Sequence, residues 1–322
     1  MLKRLLHLLP AVAFAAAAAH ADFTYAGKWG AYGAGYGQFK SPRGLAVAPA
    51  GNVYVADEFN HRIQNFTATG SFLGAWGGRG KGDGQFDFPA GVAVAPSGNV
   101  YVADTDNNRI QYFSPIGLFL GKWGTAGYAY GQFHQPAGVA VAPNGNVYVA
   151  DTGNNRIEYF TAAGSRLGGW GSGGPGDAQF DQPSALAVAP DGNVYVVDRV
   201  NDRIQYFTAA GSFLGKWGVH GFGWGQFIYP AGVAVGPDGW VYATDISWHR
   251  AQYFTPAGSY LGQWGILGSG DGEFSYPDGI GLSPTGTTAY VVDQGNNRVE
   301  YFRRGEPAVA PASLGRIKAL FK

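Results

Sequence analysis

An all-β fold, a six-bladed β-propeller of four-stranded blades, is predicted by three features of this sequence. They are a fixed period, four strand-like runs in each period, and a lone matching strand at the start of the chain. Phe39, Phe86, Phe133, Phe180, Phe227 and Phe274 follow one another at intervals of 47 residues, and Trp29, Trp76, Trp123, Trp170, Trp217 and Trp264 keep the same interval. A period of this size with several strands per unit marks a propeller or solenoid array.

One complete copy runs from Gly131 to Gly171. Gly138 to Ala142 is short, apolar and β-rich, and Pro143-Asn144-Gly145-Asn146 is a turn signal. Val147 to Asp151 and Arg156 to Thr161 are the second and third runs, and Ala162-Ala163-Gly164 turns the chain into the fourth, Ser165 to Trp170. No segment of the repeats carries a comparable helical period. Residues 23–30 match the fourth run, and the last copy, ending at Phe302, lacks one. The N-terminal strand is therefore expected to complete the sixth blade and close the ring, which removes open sheet edges.

The ends read differently. Residues 1–21 have a charged start at Lys3 and Arg4, an apolar run, and a small-x-small pattern at Ala19-His20-Ala21, which predicts a cleaved signal peptide. The propeller is expected over 22–302, in a secreted or periplasmic protein with no membrane span in the mature chain. In the tail, 303–322, a short amphipathic segment carries Leu314, Ile317 and Phe321.

Composition narrows the function. From Asp22 to Phe302 there are 15 basic and 21 acidic residues, a net of −6, which lacks the basic footprint of a nucleic-acid binder. The absence of Cys excludes disulfides, thiolate zinc sites and a Cys nucleophile.

Each copy reads G-x-F-x-x-P-x-G-V-A-V-x-P-x-G-N-V-Y-V-A-D-x-x-N-x-R-I-x-Y-F with local lapses. This resembles the NHL repeat over nearly all of 23–302. The resemblance implies the propeller fold and leaves function open, since the family includes RNA-binding and protein-binding modules, bacterial sensor ectodomains and metal-dependent lyases.

The most repeated polar group is Asp-x-x-Asn-x-Arg: Asp57/Arg62, Asp104/Arg109, Asp151/Arg156, Asp198/Arg203 and Asp293/Arg298, with Asp245/Arg250 in a copy that has Trp248 in the Asn slot. The expected role is structural, a fork-shaped Arg–carboxylate bond across each hairpin, with Asn serving the turn's special conformation. The innermost strands, read as Leu45-Ala46-Val47 and its counterparts, offer no acid, base or nucleophile. Blade-joining loops alternate between an aromatic (Tyr36, Tyr130, Trp224) and an acid (Asp83, Asp177, Asp271).

The fifth copy departs most from the pattern. His220, Phe222, Trp224, Tyr229, Trp248 and His249 are expected on its loop face, and with Tyr36 and Tyr130 they are the candidate binding residues. The function expected is a monomeric binding scaffold, without cofactor, that presents this face to a protein, peptide or glycan. The alternative is a calcium- or zinc-dependent lyase or hydrolase with its site near the channel.

Overall fold

A computed structural model describes residues 23–305; the signal peptide expected over 1–21 and all but the first three residues of the tail, 306–322, lie outside the described residues. Twenty-four strands form six antiparallel four-stranded sheets. In five sheets the strand order follows the chain, so each blade is a meander from the channel outward. In the sixth, Phe23–Trp29 pairs with Arg298–Arg304, from Phe23 opposite Arg304 to Trp29 opposite Val299. The ring closes as the orphan strand predicts.

The repeat's alternation explains the packing. In Val147–Asp151 every residue is buried, because both faces of a blade meet a neighbouring blade. Phe133 and Phe160 pack with Val139, Val147 and Val149 of their own blade and with Ala93, Tyr101 and Ile110 of the one before. The outer-strand Trp123 rings against Phe160 of the next blade. Tyr101 reaches over the following blade to donate to the Ala162 carbonyl at 3.0 Å, and four other copies repeat this bond. The Tyr242 hydroxyl has no such partner. The hairpin that would supply a carbonyl to it is missing where the N-terminal strand closes the ring.

The innermost strands begin earlier than the sequence reading placed them, at Pro42, Pro89, Pro183, Pro230 and Pro277. A register irregularity separates each of these prolines from the regular pairing that follows. This corrects the view that the innermost strands are purely apolar, since the residue after proline is Arg43 in the first blade and Asp278 in the last. The following glycine lets adjacent strands crowd the axis: a Cβ on Gly44 would meet the Ala90 carbonyl at 2.3 Å.

Candidate functional site

The Asp-x-x-Asn-x-Arg groups are structural, and their geometry corrects the fork expected of them. In the five regular copies a single Arg nitrogen, Nε, donates to the Asp Oδ2 at 2.6 to 2.8 Å: Arg62 to Asp57, Arg109 to Asp104, Arg156 to Asp151, Arg203 to Asp198 and Arg298 to Asp293. The two terminal nitrogens instead clamp three carbonyls of the blade-joining loop. Arg62 holds those of Ala34, Gly35 and Gln38, and Arg109 those of Lys81, Gly82 and Gln85. Arg156 holds Tyr128, Ala129 and Gln132, and Arg203 holds Pro175, Gly176 and Gln179. Arg298 does the same with Ser269, Gly270 and Glu273. The physical reason is that the second carboxylate oxygen is already taken, since each staple Asp also accepts a backbone N–H through Oδ1, as Asp57 does from Lys40 and Asp198 from Asp181. The fork is therefore free to satisfy loop carbonyls that would otherwise be left without donors.

The Asn side chain donates to the same Asp and to a loop carbonyl, as Asn154 does to Asp151 and Gly127. The left-handed residue is the next one: His61, Asn108, Asn155, Asp202, His249 and Asn297.

These left-handed residues have a shared task. Each accepts a backbone N–H from the following blade: Asn297 from Ser41, His61 from Phe88, Asn108 from Gln135, Asn155 from Gln182, Asp202 from Tyr229, and His249 from Tyr276. Because an N–H can only donate, Nδ1 of His61 and of His249 carries a lone pair. Burial, the largest influence, holds both imidazoles below their ordinary pKa.

The residues donating these N–H groups all precede the proline of an innermost strand and have φ between 50° and 58°. Non-glycine residues seldom adopt this region, and a held outlier of this kind justifies looking for function nearby. Phe88, Gln135 and Gln182 line a cavity of about 350 Å³ at the loop-face mouth of the channel.

Three positions per copy meet at this mouth: the residue before proline, the residue after it, and the residue after the staple Asp. The second column reads Arg43, Ala90, Ala137, Ser184, Ala231, Asp278; the third reads Glu58, Thr105, Thr152, Arg199, Ile246, Gln294. Where the third column is Thr, its hydroxyl ties down the next blade, Thr105 to the Pro136 carbonyl at 2.9 Å and Thr152 to that of Pro183 at 2.7 Å. Glu58 and Arg199 replace Thr on blades one and four, which stand opposite each other in a ring of six.

The result is a charged cluster in the channel. Arg43 lies 3.3 Å from Glu58 and 3.5 Å from Asp278. Burial pulls the Arg43 guanidinium down, but Asp278 and Glu58 outweigh it and the net shift is upward. Burial pushes Glu58 and Asp278 up, with Arg43 partly offsetting it in each case. Burial also lowers Arg199, and the Asp278 charge only partly restores it. Arg199 has no ion pair and no side-chain hydrogen bond among the described residues. The far end of the channel differs: a ring of Val47, Val94, Val141, Val188, Val235 and Leu282, with Pro49, Pro96, Pro143, Pro190, Pro237 and Pro284, lines a wide apolar opening.

The aromatic and acidic loop residues lie elsewhere. Tyr36 stacks on Phe72, Trp224 on Tyr260, and Tyr130 sits under Arg166. Asp83, Asp177 and Asp271 pair with Lys122, Lys216 and Lys28. The alternation is thus two ways of tethering the same loop to its outer strand. In blade five, Trp248 packs on Phe222 and near Arg250, while His220 pairs with Asp202 at 2.7 Å, beside the bond that holds Tyr229. Among the described residues no ring contact joins Trp224 to Trp248. With Trp in the Asn slot, the Arg250–Asp245 contact stretches to 3.3 Å, and burial raises Asp245 to about 6.

Among the described residues no group of three His, Asp or Glu is placed to hold a metal ion. No single copy carries more than two members of the charged mouth, so only the columns of the six aligned copies reveal it.

Solved structures of similar fold include virginiamycin B lyase from Staphylococcus aureus in a catalytically inactive form with quinupristin, at TM-score 0.58 and 16% identity, covering 84% of this chain and 86% of that one. A hydrazine synthase from Kuenenia stuttgartiensis matches at 0.58 and 14%, covering 82% and 96%. A gluconolactonase from Xanthomonas campestris matches at 0.60 and 14%, covering 88% and 98%. At these identities the likeness is one of fold. Among curated proteins, none matches the sequence significantly. Residues 39–66, 86–113, 133–160 and 180–207 match the NHL repeat, and the same unit builds all six blades, so the chain belongs to the NHL repeat family.

Proposed function

We propose that this protein is an exported binding propeller that receives its ligand at the loop-face mouth of the channel. One observation carries the reading. Arg43, Glu58, Arg199 and Asp278, charged where most other copies are not, gather at that mouth, while the hairpin staples around them are kept in every blade. Elsewhere a change of charge between copies meets a partner, as Asp83, Asp177 and Asp271 meet lysines and Glu158 and Glu300 meet arginines, whereas Arg199 meets none among the described residues. Buried, imperfectly compensated charges cost stability, and such groups cluster where a site needs them. Exposed Tyr229 and Tyr276 hold, in blades five and six, the position that Phe88, Gln135 and Gln182 hold at the mouth, and suit contact with a peptide or a sugar. The leader-like residues 1–21 favour export, and the partner is then a peptide, protein or glycan met outside the cytoplasm.

A metal-dependent reaction is the competing reading, since lyases and a lactonase share the fold. Against it stands the composition of the mouth, where Arg43 engages the carboxylates of Glu58 and Asp278.

The test restores the repeat. A variant with Arg43→Ala, Glu58→Thr, Arg199→Thr and Asp278→Ala carries at each position the residue commonest in the other copies. Immobilised wild-type protein should retain a ligand from native extract, detected by mass spectrometry, and the variant should retain none. Equal retention by both would defeat the proposal.

A further inference from the structure

The mouth's charges do not all satisfy one another. Arg43 bridges Glu58 and Asp278. Arg199 and Asp106 line the same cavity of about 350 Å³, on blades four and two, and neither side chain has an ion pair or hydrogen bond among the described residues. Between them stands blade three, whose Gln135, with Gln182 of blade four, turns into the cavity an amide that holds no internal bond. The cavity thus offers a cation at one wall, an anion at another, and amides between. Its volume suits a small molecule.

Taking this mouth to be the binding site proposed above, we infer that it binds a short peptide with free ends, its carboxylate on Arg199 and its ammonium on Asp106. A guanidinium presents a planar fork that matches a carboxylate. A simple anion would meet Arg199 but leave the Asp106 charge facing it. A simple cation would face both Arg199 and Arg43. The glutamine amides match the donor and acceptor of a peptide bond. Burial and the nearby Asp87 push the Asp106 carboxyl up, as expected for a carboxylate without a counter-ion.

The probe is L-alanyl-L-alanine, measured by titration calorimetry on the whole protein beside its N-acetyl and its C-terminal amide forms. The free dipeptide should bind, and each blocked form should bind about ten- to a hundredfold more weakly, the factor for losing one charge-assisted bond. Arg199→Met should bind the free and amidated forms alike, and Asp106→Asn the free and acetylated forms alike. Neither side chain makes an internal bond, so both variants should fold. No binding of the free dipeptide at millimolar concentration, binding of the blocked forms as tight as that of the free dipeptide, or discrimination unchanged in the variants overturns the inference. If the dipeptide fails while the four-residue variant still loses the native ligand, the ligand class is wrong and the mouth remains the site. If retention is also unchanged, both fall.

Discussion

The two ends of the channel are built by the same six strands and could hardly differ more. At the far end every blade contributes a Val or Leu and a Pro, so the wall repeats around the axis. At the loop face the copies contribute Arg43, Glu58, Arg199 and Asp278 in some blades and Ala, Ser, Thr, Ile or Gln in others. The strand order is shared by all six blades, and most share the register and the crowding glycine as well, so the blade itself does not call for the difference. What repeats holds the ring together; the mouth's charges depart from it and, unlike the Asp–Lys tethers of the loops, leave Arg199 without a partner among the described residues, which is the contrast the proposed function rests on.

The staple gives the largest effect with which to sharpen this contrast. Asp151 is fully buried, and Arg156 supplies its Nε bond and clamps three loop carbonyls. Arg156→Ala should cost about 3–5 kcal/mol by denaturant unfolding, the usual cost of leaving one member of a buried pair alone. Asp151→Ala added to it should cost much less than it does alone, as a double-mutant cycle will show. Arg199→Met, an equally drastic change of charge at the mouth, should leave the unfolding midpoint nearly unmoved. A large loss there would make Arg199 part of the scaffold and break the comparison.

The fold was legible because its signals are redundant: six Phe, six Trp and six hairpins give the period several times over. The closing strand was legible because Gly27-Lys28-Trp29-Gly30 repeats the letters of Gly215-Lys216-Trp217-Gly218. The staples were found, but the direction of their forks was not. Sequence pairs Arg62, Arg109, Arg156 and Arg203 with their carboxylates and cannot say that the terminal nitrogens go to the loop. The mouth was hidden because each innermost strand starts at its proline, ahead of its β-rich letters, and a lone Arg43 or Asp278 has no local pattern. The aromatics of blade five are the more prominent departure in the sequence, and their partners are mostly neighbours in the scaffold.

A middle-sized effect comes from pH. His61 and His249 accept a backbone N–H at Nδ1 and bind protons less readily in the fold than in the open chain, whose ordinary value is about 6.5. The open chain therefore gains protons first as pH falls. Their stabilisation is complete above the open-chain value and is lost as pH drops through it towards the lower folded value. Thermal melts between neutral and mildly acidic pH should show this loss. His61→Asn with His249→Asn, which keeps an acceptor that does not titrate, should reduce it. An unchanged slope in the double variant would place the pH dependence elsewhere.

The smallest effect concerns blade five. Trp248→Asn restores the donor that the other copies give their staple Asp. It should stabilise the protein by about 1 kcal/mol, the net worth of one hydrogen bond, and draw Asp245 down from about 6. Carboxyl titration by NMR reads the second change, and a fixed Asp245 pKa would show that the missing donor is not its cause.

The central claim is that the mouth departs from the repeat for binding and at some expense to the fold. Calorimetric melting of the variant with Arg43→Ala, Glu58→Thr, Arg199→Thr and Asp278→Ala tests it directly. Because buried ionic clusters are often replaced without loss, or with a gain of about 1–4 kcal/mol, the melting temperature should equal or exceed that of the wild type. A fall of several degrees would show that these charges hold the ring together, and would contradict the account.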